Sequence, residues 1–460
     1  MSIVRAFTVP HPPLIVPKVG HGRENSIIET IKAYENIARE IEEINPETII
    51  ISSPHAEAFS DCFSLSSGDV LRGDFGSFLA EDVSFVKDND ILLIEEIERI
   101  AKEKNFPAGR VLENKKLDHG VMVPLYFLRN LKSKIIVVSL SLLSLPKHYE
   151  MGKIIQEAVN NLDRKTVFIA SGDLSHKLKE YGPYGFIEEG PIYDKKIMNI
   201  LAMGNFLELL NFDINLINKA SECGHRSFTI MAGALDGIVV DAKKLSYQDV
   251  TGVGYGICSF IPKGMDSNRR FLDIYLNNLT DKIIDKKNNA DDYIKLAYEA
   301  VNRYILTGER IDLVDDILDD IKNKSAGVFV TIHEFGLLRG CIGTILPTTS
   351  CIGEEIITNA ISAAVNDHRF SKILSSELDY LEISVDVLGE IEDISSKDEL
   401  DVLKYGVIVT SGFKRGLLLP NLDGVDSVDK QVSIAKKKAG IPNDEEVKLQ
   451  RFSVERHEMK

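Results

Sequence analysis

The chain has 460 residues, 44% hydrophobic and 27% charged, with a formal net charge of −16. That length asks for two to four domains, the composition is that of a globular chain, and the acidic balance argues against nucleic acid or anionic membrane as partners. No apolar run approaches the roughly 20 residues that span a bilayer, and the N-terminus lacks a signal-peptide pattern. Five scattered cysteines build no disulfide framework, so a reducing cytoplasm is the expected setting.

In chain order, Ile27, Ile31, Tyr34, Ala38, Ile41 and Ile44 recur at helical spacing until Asn45-Pro46 stops them. Thr48-Ile49-Ile50-Ile51 then forms a continuously apolar run, as expected of a strand buried on both faces. The pattern returns at 134–138 and 166–170, with a helical stretch from about Tyr149 to Leu162 between them. Such alternation predicts an α/β domain, its central sheet mixed or parallel and flanked by helices. A last strand-like run, 254–261, closes a domain of residues 1–261. A lysine- and aspartate-rich linker over 262–289 follows, with a connecting helix of its own.

Residues 290–460 follow a different pattern. Val328, Val330 and Ile332, and again Leu381, Ile383, Val385 and Val387, alternate with polar residues, the period of a strand with one wet face. Ile356, Ile357, Ala360, Ile361 and Ala364 are spaced as on a helix, and 411–416 reads as a hairpin turn. This half is expected to be α+β.

Three histidines follow strand-like runs: His11 after 3–9, His55 after 49–51 and His176 after 167–170. Ligands bind at the carboxyl ends of strands in open α/β sheets, so three such residues can converge on one crevice despite their sequence separation. Neutral imidazole is the commonest metal-binding side chain. Two histidines and a carboxylate leave positions open on an iron ion. The third ligand is expected within Ser221-Glu222-Cys223-Gly224-His225-Arg226. In the second half, Arg339-Gly340-Cys341-Ile342-Gly343 places two glycines around a cysteine, which predicts a tight turn with either an exposed or a buried thiol. His333 is expected on the wet face of its strand.

Val9-Pro10-His11-Pro12-Pro13, Ser53-Pro54-His55, the 117–125 segment from Leu117-Asp118-His119-Gly120 to Val123-Pro124-Leu125, and Ser171-Gly172-Asp173-Leu174-Ser175-His176 together resemble the class III extradiol ring-cleavage dioxygenases and the related Memo proteins. The resemblance implies iron(II), or another divalent metal such as zinc, held by His11, His55 and Glu222. Alignment with the Memo branch puts Cys223 in the third place instead, and His225 is a weaker alternative. It implies His176 as the acid/base on the substrate hydroxyl, His119 as a hydrogen-bond donor to substrate or oxygen, and a catechol-like substrate with dioxygen as co-substrate. Residues 290–460 resemble the AMMECR family through Leu338-Arg339-Gly340-Cys341-Ile342-Gly343, Asn366-Asp367-His368-Arg369-Phe370 and 412–420, although His368 stands where the family usually has proline. The two resemblances together are those of a fusion that implies a radical SAM protein partner, the AmmeMemoRadiSam grouping; a homodimer is left open beside a monomer.

Overall fold

The three apolar runs become adjacent strands of a six-stranded sheet. In a computed structural model describing residues 2–111, 116–313, 318–422 and 424–459, the chain divides into two compact units, Met1–Asn277 and Asn278–Lys460.

In the first unit, β1 (Ile3–Val9), β2 (Thr48–Ser53), β3 (Lys134–Ser139), β4 (Thr166–Ser171), β5 (Ile238–Gln248) and β6 (Tyr255–Met265) are ordered β3-β2-β4-β1-β6-β5. The first four are parallel, and β6 and β5 add an antiparallel edge. Ile49, Ile50 and Ile51 are all at most 1% exposed, because helices cover both faces. One layer holds α1 (Ile28–Ile44) and the short α3 (His119–Phe127). The other holds α2 (Ile91–Glu103), α4 (Leu145–Asn161), α5 (Glu189–Met203) and α6 (His225–Ala234).

Two strand regions show no clear period in the sequence. A hairpin, Val70–Phe75 with Ala80–Asp88, and the edge strand β5 carry mixed polar patterns because only part of each is buried. Strand β6 also runs on to Met265, and α7 (Phe271–Asn289) fills most of the stretch expected to link the domains.

The second unit is a seven-stranded antiparallel sheet with helices packed on it. Its main path runs Leu337–Gly343, Val328–Glu334, Leu381–Leu388, Lys448–His457, Tyr405–Ser411, Lys414–Leu418. Helices Asp292–Thr307 and Ile352–Val365 share a core with the alternating residues Val328, Val330, Ile332, Leu381, Ile383 and Val385. Among the described residues no helix is long and apolar enough to cross a membrane.

Candidate metal centre

Strands β2, β4 and β1 are neighbours, so the loops leaving their carboxyl ends meet. They bring His55, His176 and His11 to one place, and the first residue of α3, His119, joins them. The Nε2 atoms of His11 and His55 are 3.0 Å apart. The His119 ring lies 4.0 Å from that of His55 and 5.3 Å from that of His11, centre to centre. Ligating nitrogens of these three histidines all fall within 4.8 Å of one another.

A thiol also approaches the cluster. Cys223 Sγ lies 3.5 Å from His11 Nε2. A tetrahedral ion bonded to nitrogens at about 2.0–2.1 Å and to sulfur at about 2.3 Å holds those atoms roughly 3.3 Å (N···N) and 3.5 Å (N···S) apart, so the spacings of His55 and of Cys223 from His11 are each close to those of a shared ion. Glu222, the carboxylate expected there, is turned to another task. Its Oε2 accepts from the His225 amide at 2.5 Å, and it takes further hydrogen bonds from the Gly224 amide and Tyr193. It therefore tethers the start of α6 as an acceptor for backbone amides, and burial pushes its carboxyl up to about 7. His225 is also drawn away: its ring is fully buried, with Nε2 on the Leu209 carbonyl at 3.0 Å and Nδ1 facing the Tyr193 hydroxyl at 3.3 Å.

The Cys223 loop is held against the loop after β4. A Cβ on Gly172 would lie 2.1 Å from Gly224 Cα, so only glycine allows the two backbones to meet. The Asp173 amide donates to Cys223 Sγ at 3.2 Å, and the Cys223 amide donates back to the Asp173 carbonyl at 3.3 Å. The Asp173 carboxylate accepts from the His11 amide at 2.8 Å, and Ser171 Oγ sits 2.9 Å from His11 Nδ1. Asp173 and Ser171 carry no sequence signal beyond the Ser171–His176 motif; nothing in their spacing reveals that they clamp His11.

Burial disfavours the charged form of every imidazole in the cluster. Burial, then the charges of His55, His119 and His176, hold His11 well below its usual range. Burial and the His55 charge bring both His119 and His176 down to about 4. His55, with part of its ring open to solvent, is lowered by burial while the Asp118 carboxylate pulls the other way. His176 Nε2 is buried and has no hydrogen-bond partner, and the exposed Tyr184 stacks on its ring at 5.2 Å. A cavity of about 270 Å³ opens beside the centre, lined by His55, Asp118, Leu65, Leu117, Val137 and Ser139 among others.

The second unit's motif takes a different form. Residues 337–343 are a strand, not a tight turn; the turn falls at Phe335 and Gly336, both with positive φ. Arg339 bonds both carboxylate oxygens of Glu377 and the carbonyls of Ser371 and Lys372. A Cβ on Gly340 would lie 2.1 Å from the Ala363 carbonyl, and one on Gly343 2.2 Å from the Phe329 ring. Cys341 is half-buried; its amide donates to Asp367 at 2.9 Å and its sulfur accepts from Thr331 at 3.2 Å. His333 is half-buried, and that burial lowers its pKa.

Residues 5–258 match the family described as the catalytic LigB subunit of aromatic ring-opening dioxygenase, and residues 294–457 match AMMECR1. A protein of Clostridium acetobutylicum is 41% identical over 99% of this chain and 99% of its own. One of Thermotoga maritima is 46% identical over 36% of this chain and 96% of its own. The crystal structure of an uncharacterised protein from Pyrococcus horikoshii covers 36% of this chain and 89% of that one, at 30% identity and a TM-score of 0.34.

Proposed function

Because the chain belongs to the family of the LigB catalytic subunit of aromatic ring-opening dioxygenases, with an AMMECR1 domain in the same chain, we propose that its first unit is an iron(II)-dependent dioxygenase of the ring-opening type acting on a small catechol-like substrate. The observation that carries this reading is the approach of His55 Nε2 and of Cys223 Sγ to His11 Nε2, in a cluster that His119 joins and near a buried, unpartnered nitrogen of His176.

His11, His55 and Cys223 would hold the ion and leave positions open for substrate and oxygen. When bound, iron(II) would supply the activation of dioxygen and the chelation of a catecholate. Cys223 has its thiol pushed well up by burial, a cost that a coordinated cation reverses by taking the sulfur as thiolate. His176, neutral at pH 7, has a free nitrogen with which to take the proton of a substrate hydroxyl. His119 lies against the His55 ring, where it can hydrogen-bond the substrate's oxygen. The cavity beside His55 has room for a single-ring molecule.

Anaerobic titration should give one iron(II) per chain in the wild type and none in His11→Ala or His55→Ala. With catechol present, the loaded wild type should consume oxygen, and His176→Ala should keep its iron and lose that uptake. A second reading, a metal-binding protein without turnover, is favoured by one feature: a sulfur in the donor set suits softer ions such as zinc or copper(I). A wild type that holds metal but consumes no oxygen across a catechol panel selects it.

A further inference from the structure

The contact between His11 Nδ1 and Ser171 Oγ has no direction of its own, because a hydroxyl and a neutral imidazole can each donate. A third group decides it. Ser171 Oγ also lies 2.6 Å from the carbonyl oxygen of Gly120, which can only accept. The one hydroxyl hydrogen therefore goes to Gly120, and Oγ is left to accept from His11 Nδ1–H.

The need of Gly120 for a donor is written into α3. A helical carbonyl is normally paired with the N–H four residues on. For Gly120 that residue is Pro124, inside the helix, which has no N–H to give. Gly120 is buried, so its carbonyl must find a partner within the protein, and Ser171 supplies one.

We propose that Ser171, oriented by the carbonyl that Pro124 leaves free, is a positioning residue that locks His11 as its Nδ1–H tautomer and aims the Nε2 lone pair at His55 and Cys223. The other tautomer would place an N–H where the metal belongs. The consequence for metal affinity rests on the metal centre proposed above; the tautomer itself does not.

Two measurements on the full chain separate these. Nitrogen NMR of the imidazole rings in the metal-free wild type should show His11 protonated at Nδ1 near neutral pH. Zinc titration against a chromophoric chelator should then find Ser171→Ala about 10–100-fold weaker, the usual loss when an outer hydrogen bond to a ligand is removed. Ser171→Thr, which keeps the hydroxyl, should restore both the tautomer and the affinity. Pro124→Ala gives Gly120 a donor inside the helix and frees the serine hydroxyl to turn, so it should populate the Nε2–H form and weaken zinc. A wild-type His11 protonated at Nε2, or a Ser171→Ala protein that binds zinc as tightly as wild type, overturns the proposal, and an unchanged Pro124→Ala removes the part given to Pro124. Failure of every protein to bind zinc, with Nδ1–H intact, would instead sink the metal centre alone.

Discussion

The histidine cluster of the first unit and the Arg339–Gly343 segment of the second both stood out as motifs, and they differ in what their polar atoms do. In the cluster, His11 and His55 turn nitrogens towards each other and His176 keeps a buried nitrogen without a partner. In the strand, Arg339 donates to one carboxylate and two carbonyls, and the Cys341 amide and sulfur both have partners. Buried hydrogen-bonding capacity left unused is costly unless something else uses it, which points to a ligand in the first case. Where the chain consumes it, the motif holds the fold together. A sharp sequence pattern is thus evidence of constraint, and the hydrogen-bond inventory says what kind.

The largest effects should separate the two acidic or thiol candidates beside the cluster. Cys223→Ala removes one of the three donors proposed for the ion and should lower metal affinity by more than the roughly 10–100-fold typical of an outer-sphere loss. Glu222→Gln, which can still accept from the His225 amide, should leave affinity nearly unchanged in the same titration. The reverse ranking would return the third position to the carboxylate.

In the second unit the expected damage is to stability. Gly340→Ala drives a methyl against a helix carbonyl that cannot swing aside and should cost about 1–3 kcal/mol or more, read from the denaturant midpoint. Arg339→Lys keeps the charge but loses the planar fork that bonds Glu377 and two carbonyls, and about 1–3 kcal/mol is expected from hydrogen bonds to charged groups. Neither variant should alter the metal content of the first unit. If Arg339→Lys proved neutral in stability yet abolished some activity of the chain, the contrast between site and scaffold would break.

Much of this arrangement was legible in the residues. The strands β2, β3 and β4 announce themselves as continuous apolar runs, and three histidines beyond the carboxyl ends of β1, β2 and β4 foretell a shared crevice. The choice between Glu222 and Cys223 was not legible, because adjacent residues differ only in the direction their side chains take. That direction is set by Ser221, which has a positive φ of 52°, and by the contact between Gly172 and Gly224, neither of which has a sequence signal. Likewise the 337–343 segment read as a turn because glycines usually mark one. Here Gly340 and Gly343 make room for a helix carbonyl and a phenyl ring within a strand.

The smallest prediction sharpens the contrast through buried acids. In the second unit, hydrogen bonds win over burial: Asp367 is held low by the Arg369 guanidinium, and Glu355, although burial opposes it, by Thr344, Thr348 and Thr349. In the first unit burial wins, and Asp194 is raised to about 7 despite accepting from the Ser175 amide and the Tyr247 hydroxyl. In the unfolded chain an aspartate loses its proton near roughly pH 3.9. Below that pH both states are protonated and the neutral carboxyl contributes in full. As pH rises from about 4 to about 7 the folded state holds the proton longer than the unfolded chain does, so this contribution is lost. Asp194→Asn cannot ionise and keeps the shape, so it should gain stability relative to wild type across that window. Denaturation of both proteins at about pH 5 and about pH 8 measures the change in their difference. A difference that stays constant would mean that Asp194 is ionised at both values, its charge carried by Ser175 and Tyr247, and that the first unit treats its buried acids as the second does.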